Sequence, residues 1–104
     1  MTIAPNGRID VSFYDRSYSG NRLVDLTYAG SSDGGSTWFT QRVTRAGFDP
    51  PQWGVPSSGG FIPFIGDYNG MFSTNRNAGI TWTGVASSGA AYNLEIEFAN
   101  ISNP

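Results

Sequence analysis

A glycine-rich turn between two strand-like runs constrains the fold of this chain more than any other stretch. Residues 31–38 read Ser-Ser-Asp-Gly-Gly-Ser-Thr-Trp. An Asp in this position accepts hydrogen bonds from backbone N–H groups just ahead of it, and Gly supplies the positive φ that a tight turn needs. The runs over 23–30 and 39–44 are typical of β-strands. We therefore predict a β-hairpin, with Trp38 covering the base of its turn.

Alternation of apolar and polar side chains predicts further strands on both sides of this hairpin. These strands are 9–14, 71–74, 80–84 and 94–98. Residues 15–22 are polar and turn-forming, so they are predicted to form a loop. Residues 45–67 combine four prolines and five glycines with several aromatic residues. They predict a long connection without regular structure, whose aromatic content argues against disorder.

The chain contains an internal repeat, with a period of roughly seventy residues. Residues 24–29 (Val-Asp-Leu-Thr-Tyr-Ala) align with residues 94–99 (Leu-Glu-Ile-Glu-Phe-Ala). Upstream, residues 11–13 (Val-Ser-Phe) align with residues 80–82 (Ile-Thr-Trp). If the strands of one repeat are lettered A to D, the chain reads A-B-C-D, a long connection, and then A-B-C.

The turn also fills every defining position of a known motif. Ser-x-Asp-x-Gly-x-Thr-Trp resembles the Asp box, or BNR repeat, of bacterial sialidase-like β-propellers, where it is a structural hairpin. The positions that match are Ser31, Asp33, Gly35, Thr37 and Trp38. Other stretches resemble landmarks of the same family, and these are 13–16, 42–44, 64–70 and 80–83. The chain departs from the family at Gly84, where relatives tend to carry Asp.

The resemblance implies an all-β fold of two four-stranded antiparallel blades, of which the second is incomplete. We expect blade one over about 1–44, a long loop over about 45–69 and partial blade two over about 70–104. Propellers close with about 4–8 blades, so two blades leave flanks and an edge strand uncovered. We therefore expect homo-oligomerisation, and a trimer would supply about six blades.

Composition excludes several functional classes. The 104 residues include no Cys, His or Lys, and six Arg against eight acidic residues give a formal charge of −2. Cysteine nucleophiles, Ser-His-Asp triads, disulfides and the usual zinc sites are therefore excluded, and no cofactor or metal is indicated. The charge gives no reason to expect binding to nucleic acid or to a membrane. The resemblance implies a secreted or periplasmic protein, although no signal-peptide pattern opens the chain.

The candidate ligand site lies on the loops opposite the Asp-box turn. In propeller topology the B–C and D–A loops share one face, where sialidase-type propellers bind their ligand, as the resemblance implies. Loops on a rigid scaffold also commonly carry sites. The polar and aromatic candidates in these loops are Asp15, Arg16, Tyr18, Arg22, Arg45, Asp49, Trp53, Asp67 and Tyr68. Arginine suits bidentate recognition of a carboxylate such as that of sialic acid, and an aromatic ring can stack on a sugar.

Structural roles compete with binding at several of these positions. Asp15 and Arg16 can form a pair at a strand end, and Asp67 can cap a turn. Trp53 and residues 61–65 can fill a gap between blades. Alternatively, Asp15 or Asp67 can act as an acid if burial raises its pKa.

The catalytic set of a sialidase cannot be assigned from this sequence. Such an enzyme needs an arginine cluster, an acid and a Tyr activated by Glu, as the resemblance implies. The only glutamates, Glu95 and Glu97, have no convincing Tyr partner in the sequence. We expect a module that binds carbohydrate and is not catalytic by itself. The alternatives are a sialidase-like glycoside hydrolase subunit whose site forms on an assembled ring, and a purely structural repeat.

Overall fold

A computed structural model shows that the chain is all-β. It describes residues 1–49, 54–63, 65–66, 68–85 and 94–104, with the backbone alone at 54–57, 60–63 and 85. The strands are β1 (Thr2–Ile3), β2 (Ile9–Asp15), β3 (Asp25–Ser31), β4 (Phe39–Arg42), β5 (Gly54–Ser57), β6 (Gly60–Pro63), β7 (Gly70–Ser73), β8 (Asn77–Val85) and β9 (Leu94–Ser102). Within these ranges the helical structure is a short 3-10 turn at Ser17–Ser19. The described residues include no helix with the length and apolar character that a membrane crossing requires.

The first sheet is an antiparallel meander in the order β1-β2-β3-β4. Strand β3 lies inside this sheet, and all seven of its residues are buried. Strands β3 and β4 pair with Gly30 opposite Phe39, which confirms the predicted hairpin. The turn glycines Gly34 and Gly35 have φ values of 73° and 92°, as the turn chemistry predicts.

The second sheet, β7-β8-β9, repeats the register of the first. The residue pairs that face each other across β2 and β3 include Val11–Ala29, Ser12–Tyr28 and Phe13–Thr27. The pairs across β8 and β9 include Ile80–Ala99, Thr81–Phe98 and Trp82–Glu97. These are the residues that the sequence repeat aligns with one another. Equivalent residues therefore occupy equivalent places in the two sheets.

The two sheets pack face to face around one hydrophobic core. Its buried members are Leu26 and Tyr28 from the first sheet and Ala78, Ile80, Trp82 and Ile101 from the second. Burying a large apolar side chain contributes about 1.5–3 kcal/mol, so this contact is a main source of stability. Because successive strand residues point to opposite faces, Val11 and Phe13 lie on the outward face of the first sheet.

The connection between the sheets contains a hairpin that the sequence does not predict. Strands β5 and β6 pair from Gly54 opposite Pro63 to Ser57 opposite Gly60. The expectation of a connection without regular structure is therefore wrong over these residues. Pro56 and Pro63 are compatible with the pairing because both strands of an isolated hairpin are edge strands, where an N–H can be missing.

Candidate functional site

One end of the first sheet gathers polar side chains where β2 leads into β3 and where β4 ends. We call this group the polar end, and its members are Asp15, Tyr18, Asp25, Thr27, Arg42 and Thr44. The strand register places Asp15 opposite Asp25 and Thr27 opposite Arg42. Asp25 and Thr27 flank the core residue Leu26 in β3, so their side chains point away from the core. Their cross-strand partners Asp15 and Arg42 share this outward face of the sheet.

Arg42 is held by a buried carboxylate while its side chain stays partly exposed to solvent. Its Nε and Nη2 donate to Asp25 Oδ1 at 3.0 and 2.8 Å. The Arg42 side chain is 39% exposed and that of Asp25 is 1% exposed. Thr44 Oγ1 donates to the same Asp25 oxygen at 2.6 Å. The guanidinium carbon also lies 5.1 Å from the centre of the Tyr18 ring, so a cation–π contact fixes its other side.

Asp15 is satisfied by hydrogen bonds from the loop and from the neighbouring strand. Its Oδ1 accepts from the Ser17 N–H at 2.8 Å, and its Oδ2 accepts from the Ser17 and Thr27 hydroxyls at 2.9 and 3.0 Å. The Thr27 hydroxyl also lies 3.1 Å from that of Tyr18. The bonds from Ser17, supported by Thr27, hold the pKa of Asp15 below its usual value. The condition for an acid role, a raised pKa, is therefore not met at Asp15.

Arg16 points along its own loop. Its Nη2 donates to the Arg22 carbonyl at 2.9 Å, which closes the β2–β3 connection on itself. The structure does not show the pair between Asp15 and Arg16, because Asp15 accepts from Ser17 in the loop and Thr27 in β3 while Arg16 donates to the Arg22 carbonyl. The side chains of Arg16 and Arg22 are both exposed.

The start of the long connection docks beside the polar end. Val24 and Phe48 exchange two backbone hydrogen bonds, of 2.7 and 2.9 Å. The Phe48 ring meets Tyr14 edge-on, with the ring centres 6.4 Å apart. This bridge brings the exposed Arg45 and the half-buried Asp49 to the same end of the sheet as the β2–β3 connection.

Gly47 allows this close approach. A Cβ at Gly47 would lie 2.8 Å from Asp25 Oδ2 and 2.8 Å from Leu23 Cβ. Asp25 Oδ2 is buried, and it has no hydrogen-bond partner among the described residues. Space at residue 47 is therefore a condition for the buried carboxylate that holds Arg42.

The remaining candidates are Tyr68, Trp53 and Asp67. Tyr68 is 91% exposed, and Trp53 and Asp67 lie outside the described residues. Sequence reasoning missed Asp25, Thr27, Arg42 and Thr44, which lie in or next to the predicted strands rather than in the loops. Four of the six arginines nevertheless lie in the polar end or in the segments that adjoin it, and these are Arg16, Arg22, Arg42 and Arg45.

A second Arg–Asp pair lies buried near the opposite end of the sheet. Arg8 Nε and Nη2 donate to Asp10 Oδ1 and Oδ2 at 2.8 and 3.0 Å, and the two side chains are 3% and 0% exposed. The other acceptors of Arg8 are carbonyls around the β7–β8 turn, at 3.1–3.3 Å from Thr74, Asn75 and Asn77. Arg8 therefore ties the first sheet to the second and offers no surface to a ligand.

Asp10 is the centre of this buried network. It accepts from the Tyr28 hydroxyl at 2.6 Å and from the Ser73 hydroxyl. Burial raises the pKa of Asp10, but the hydrogen bonds from Arg8, Ser73 and Tyr28 outweigh it and keep the pKa below its usual value. Burial, together with the hydrogen bond to Asp10, raises the pKa of Tyr28. The sequence signal that could have found this network is a pair of opposite charges two residues apart, Arg8 and Asp10, at the start of β2.

Tyr14 and Glu97 form the one Tyr–Glu relationship that the described residues show. The Tyr14 hydroxyl donates to the Thr83 carbonyl at 2.9 Å. Burial raises the pKa of Tyr14, the bond to Thr83 offsets part of the shift, and the charge of Glu97 adds to it. A nucleophilic Tyr requires a lowered pKa or a base that takes its proton, whereas the Tyr14 hydroxyl donates its proton to a backbone carbonyl.

No group of three acidic residues in the described ranges lies close enough together to hold a metal ion. Comparison of the chain with family models, with curated proteins and with solved structures gives no match in any of the three.

Proposed function

We propose that this chain is a sialidase-like Asp-box propeller module that binds an acidic carbohydrate without hydrolysing it, and that further copies complete the propeller. The observation that carries the binding proposal is the arrangement of Arg42, clamped by buried Asp25 and stacked on Tyr18 while 39% exposed. The motif resemblance at 31–38 carries the proposal of a propeller.

Arg42 is suited to receive a carboxylate because it is fixed before the ligand arrives. Asp25, which accepts a hydrogen bond from Thr44, holds the Arg42 guanidinium from the sheet, and the Tyr18 ring restricts its remaining motion. Preorganisation of this kind lowers the entropic cost of binding. Arginine also presents several N–H donors in a plane that matches a carboxylate. The neighbouring arginines add positive potential to a chain that is negative overall.

The directions of the pKa shifts at Asp15 and Tyr14 favour binding over hydrolysis by these two groups. A glycosidase of this class needs a carboxyl that holds a proton near neutral pH. The pKa of Asp15 is lowered by Ser17, and that of Tyr14 is raised by burial. Each shift is opposite to the one that its catalytic role would require.

The binding test compares 3′-sialyllactose with lactose by isothermal titration calorimetry. We expect the sialylated sugar alone to bind, and Arg42→Ala to weaken it about tenfold to a hundredfold, the loss for one charged hydrogen-bonding group. Tyr18→Ala should also weaken binding while leaving the Asp25 contact in place. Arg76→Ala, which removes an exposed arginine from the β7–β8 turn, is the matched control. Equal affinity of all variants, or no binding by the wild type, would contradict the proposal.

The hydrolysis test uses a fluorogenic sialoside. We expect no release of the fluorophore above the uncatalysed rate at any pH between about 4 and 8, where the relevant carboxyl groups titrate. If the chain releases the fluorophore and Asp15→Asn abolishes this turnover, the result supports the glycoside hydrolase alternative and contradicts the binding module.

A further inference from the structure

We propose that the apolar part of the outward face of the first sheet, next to the polar end, binds the outward face of the second sheet of another copy of this chain, in a head-to-tail contact. The first surface, the Phe13 face, consists of Val11, Phe13, Ala29 and Trp38. The second surface, the Phe98 face, consists of Phe72, Ile96 and Phe98. This inference deepens the proposed assembly by naming its two surfaces and their order, and it rests on that proposal only for closure of a ring.

The contact between the two sheets of one chain shows how one sheet face buries another. Within the chain, Leu26 and Tyr28 of β3 are 0% exposed because they pack against Ile80 and Trp82 of β8, which are 0% and 4% exposed. One face of the first sheet thus covers one face of the second.

The repeat assigns a counterpart to each of these four residues. Leu26 and Tyr28 align with Ile96 and Phe98, and Ile80 and Trp82 align with Val11 and Phe13, in the same strand register. The counterparts lie on the outward faces. Ile96 and Phe98 are 75% and 58% exposed, Phe13 is 41% exposed, and Val11 is half-buried. The first sheet of another copy can pack on the second sheet of this copy in the way that the two sheets of one chain pack together. That contact would bury Ile96 and Phe98 of one copy against Val11 and Phe13 of the other.

The two faces are both apolar, and one offers a groove where the other offers an exposed aromatic pair. Val11, Phe13, Ala29 and Trp38 line an apolar groove of about 300 Å³. On the other face, Phe72 and Phe98 stack with their ring centres 6.5 Å apart and their planes 10° from parallel, which gives a projecting aromatic pair. The acidic residues of β9, Glu95 and Glu97, alternate with Ile96 and Phe98, so they point away from this face. Aromatic residues in such positions are typical anchors of protein interfaces.

The contact joins two different surfaces, which determines how copies assemble. A two-fold dimer requires one surface to meet itself, whereas a contact between unlike surfaces adds copies in one direction. Such a series closes into a ring when the rotation between neighbours allows it and otherwise continues as a filament. Each copy therefore donates one Phe98 face and accepts one at its Phe13 face.

The test uses sedimentation velocity on two single variants and on their mixture. Phe98→Arg removes the Phe98 face and Phe13→Arg removes the Phe13 face. Each variant is expected to sediment as one chain, with self-association weakened about thirtyfold or more. Mixed in equal amounts, the variants should form a complex of two chains, because each retains the surface that the other lacks. Tyr68→Arg, at a residue 91% exposed and outside both faces, should leave assembly unchanged. Ile96→Arg replaces Phe98→Arg if the latter does not fold by circular dichroism.

Three results would overturn the inference: a wild-type chain that stays monomeric, single variants that still associate, or a mixture that remains monomeric. A head-to-tail complex whose wild-type form is larger or smaller than a trimer supports the two surfaces and rejects the trimeric ring. Binding of 3′-sialyllactose is measured separately on the monomeric variants, so failure of carbohydrate binding does not affect this outcome.

Discussion

The two ends of the first sheet each hold an Arg–Asp pair, and the two pairs differ chiefly in what surrounds them. Arg8 and Asp10 are 3% and 0% exposed, and the remaining donors of Arg8 go to carbonyls of the second sheet. Arg42 and Asp25 are 39% and 1% exposed, and the second contact of Arg42 is with the Tyr18 ring. The same pair of residue types joins two sheets in one place and presents a cation to solvent in the other.

The difference shows that burial of the arginine decides its role. A buried guanidinium must have all its donors satisfied inside the protein, since an unpaired charge in the interior is costly. Arg8 meets this requirement through carbonyls that a neighbouring turn supplies. A half-exposed guanidinium can leave donors to water, and water can be exchanged for a ligand. Only the Arg42 end is therefore a candidate binding site.

Removal of Asp10 should give the largest effect on stability. Asp10→Ala leaves Arg8 buried without its carboxylate, and we expect the free energy of unfolding to fall by about 3–5 kcal/mol. The measurement is urea denaturation monitored by tryptophan fluorescence. A loss below about 1 kcal/mol, the range of exposed pairs, would show that the pair does not join the sheets.

Filling the space at Gly47 should have the next largest effect. A Cβ there would lie 2.8 Å from both Asp25 Oδ2 and Leu23 Cβ, so Gly47→Ala should cost about 1–3 kcal/mol, as overpacking does. Gly59→Ala is the matched control, because no atom lies within 4 Å of its Cβ position. Equal urea midpoints for the two variants would contradict a close contact between the chain at Gly47 and the Asp25 carboxylate.

Removal of Arg42 should cost less stability than removal of Asp10. Arg42→Ala is expected to lower the free energy of unfolding by about 1 kcal/mol, because water can reach the place that the side chain leaves and Thr44 still donates to Asp25. The variant should bind 3′-sialyllactose about tenfold to a hundredfold more weakly while it stays folded. If Arg42→Ala lowers the free energy of unfolding as much as Asp10→Ala does, the two Arg–Asp pairs have the same structural role.

Protonation of Asp33 should produce the smallest effect on stability. The bonds from the Thr37 hydroxyl and N–H, at 2.6 and 2.9 Å, lower the pKa of Asp33 to about 2. A lowered pKa adds stability above the unfolded value of about 3.9, and this stability is lost as the pH falls through the folded value. The pKa of Asp10 is lowered too. The melting temperature should therefore drop between about pH 4 and pH 2, and Asp33→Asn should make the drop shallower. An unchanged slope in this variant would contradict the role of the Thr37 bonds.

Much of the architecture could be predicted from local patterns. The hairpin at 31–38 followed from turn chemistry, which acts within a few residues, and the positions of the other strands followed from alternation. The repeat predicted the residues that occupy equivalent places in the two sheets, and their strand registers coincide. The β5–β6 hairpin was missed because its prolines argue against strands in general but not against edge strands.

The candidate site was predicted less well than the fold. Loop position led to Asp15 and Tyr18, which do belong to the polar end, but it also led to Tyr68, which is 91% exposed. Asp25 and Arg42 were missed because they lie seventeen residues apart, and only the pairing of β3 with β4 brings them together. Trp53 and Asp67 remain predictions.

The sequence by itself determined the turns, the all-β character and the repeat, because these depend on backbone preference and on side-chain period over short stretches. Alternation over 9–14 is the same whichever face turns inward, so it could not say that Asp10 and Tyr14 face the core side while Val11 and Phe13 face outward. The tertiary structure decided this when Leu26 and Tyr28 packed against Ile80 and Trp82. That packing sealed one Arg–Asp pair, left the other at the surface, and placed Phe13 and Phe98 on opposite outer faces of one chain.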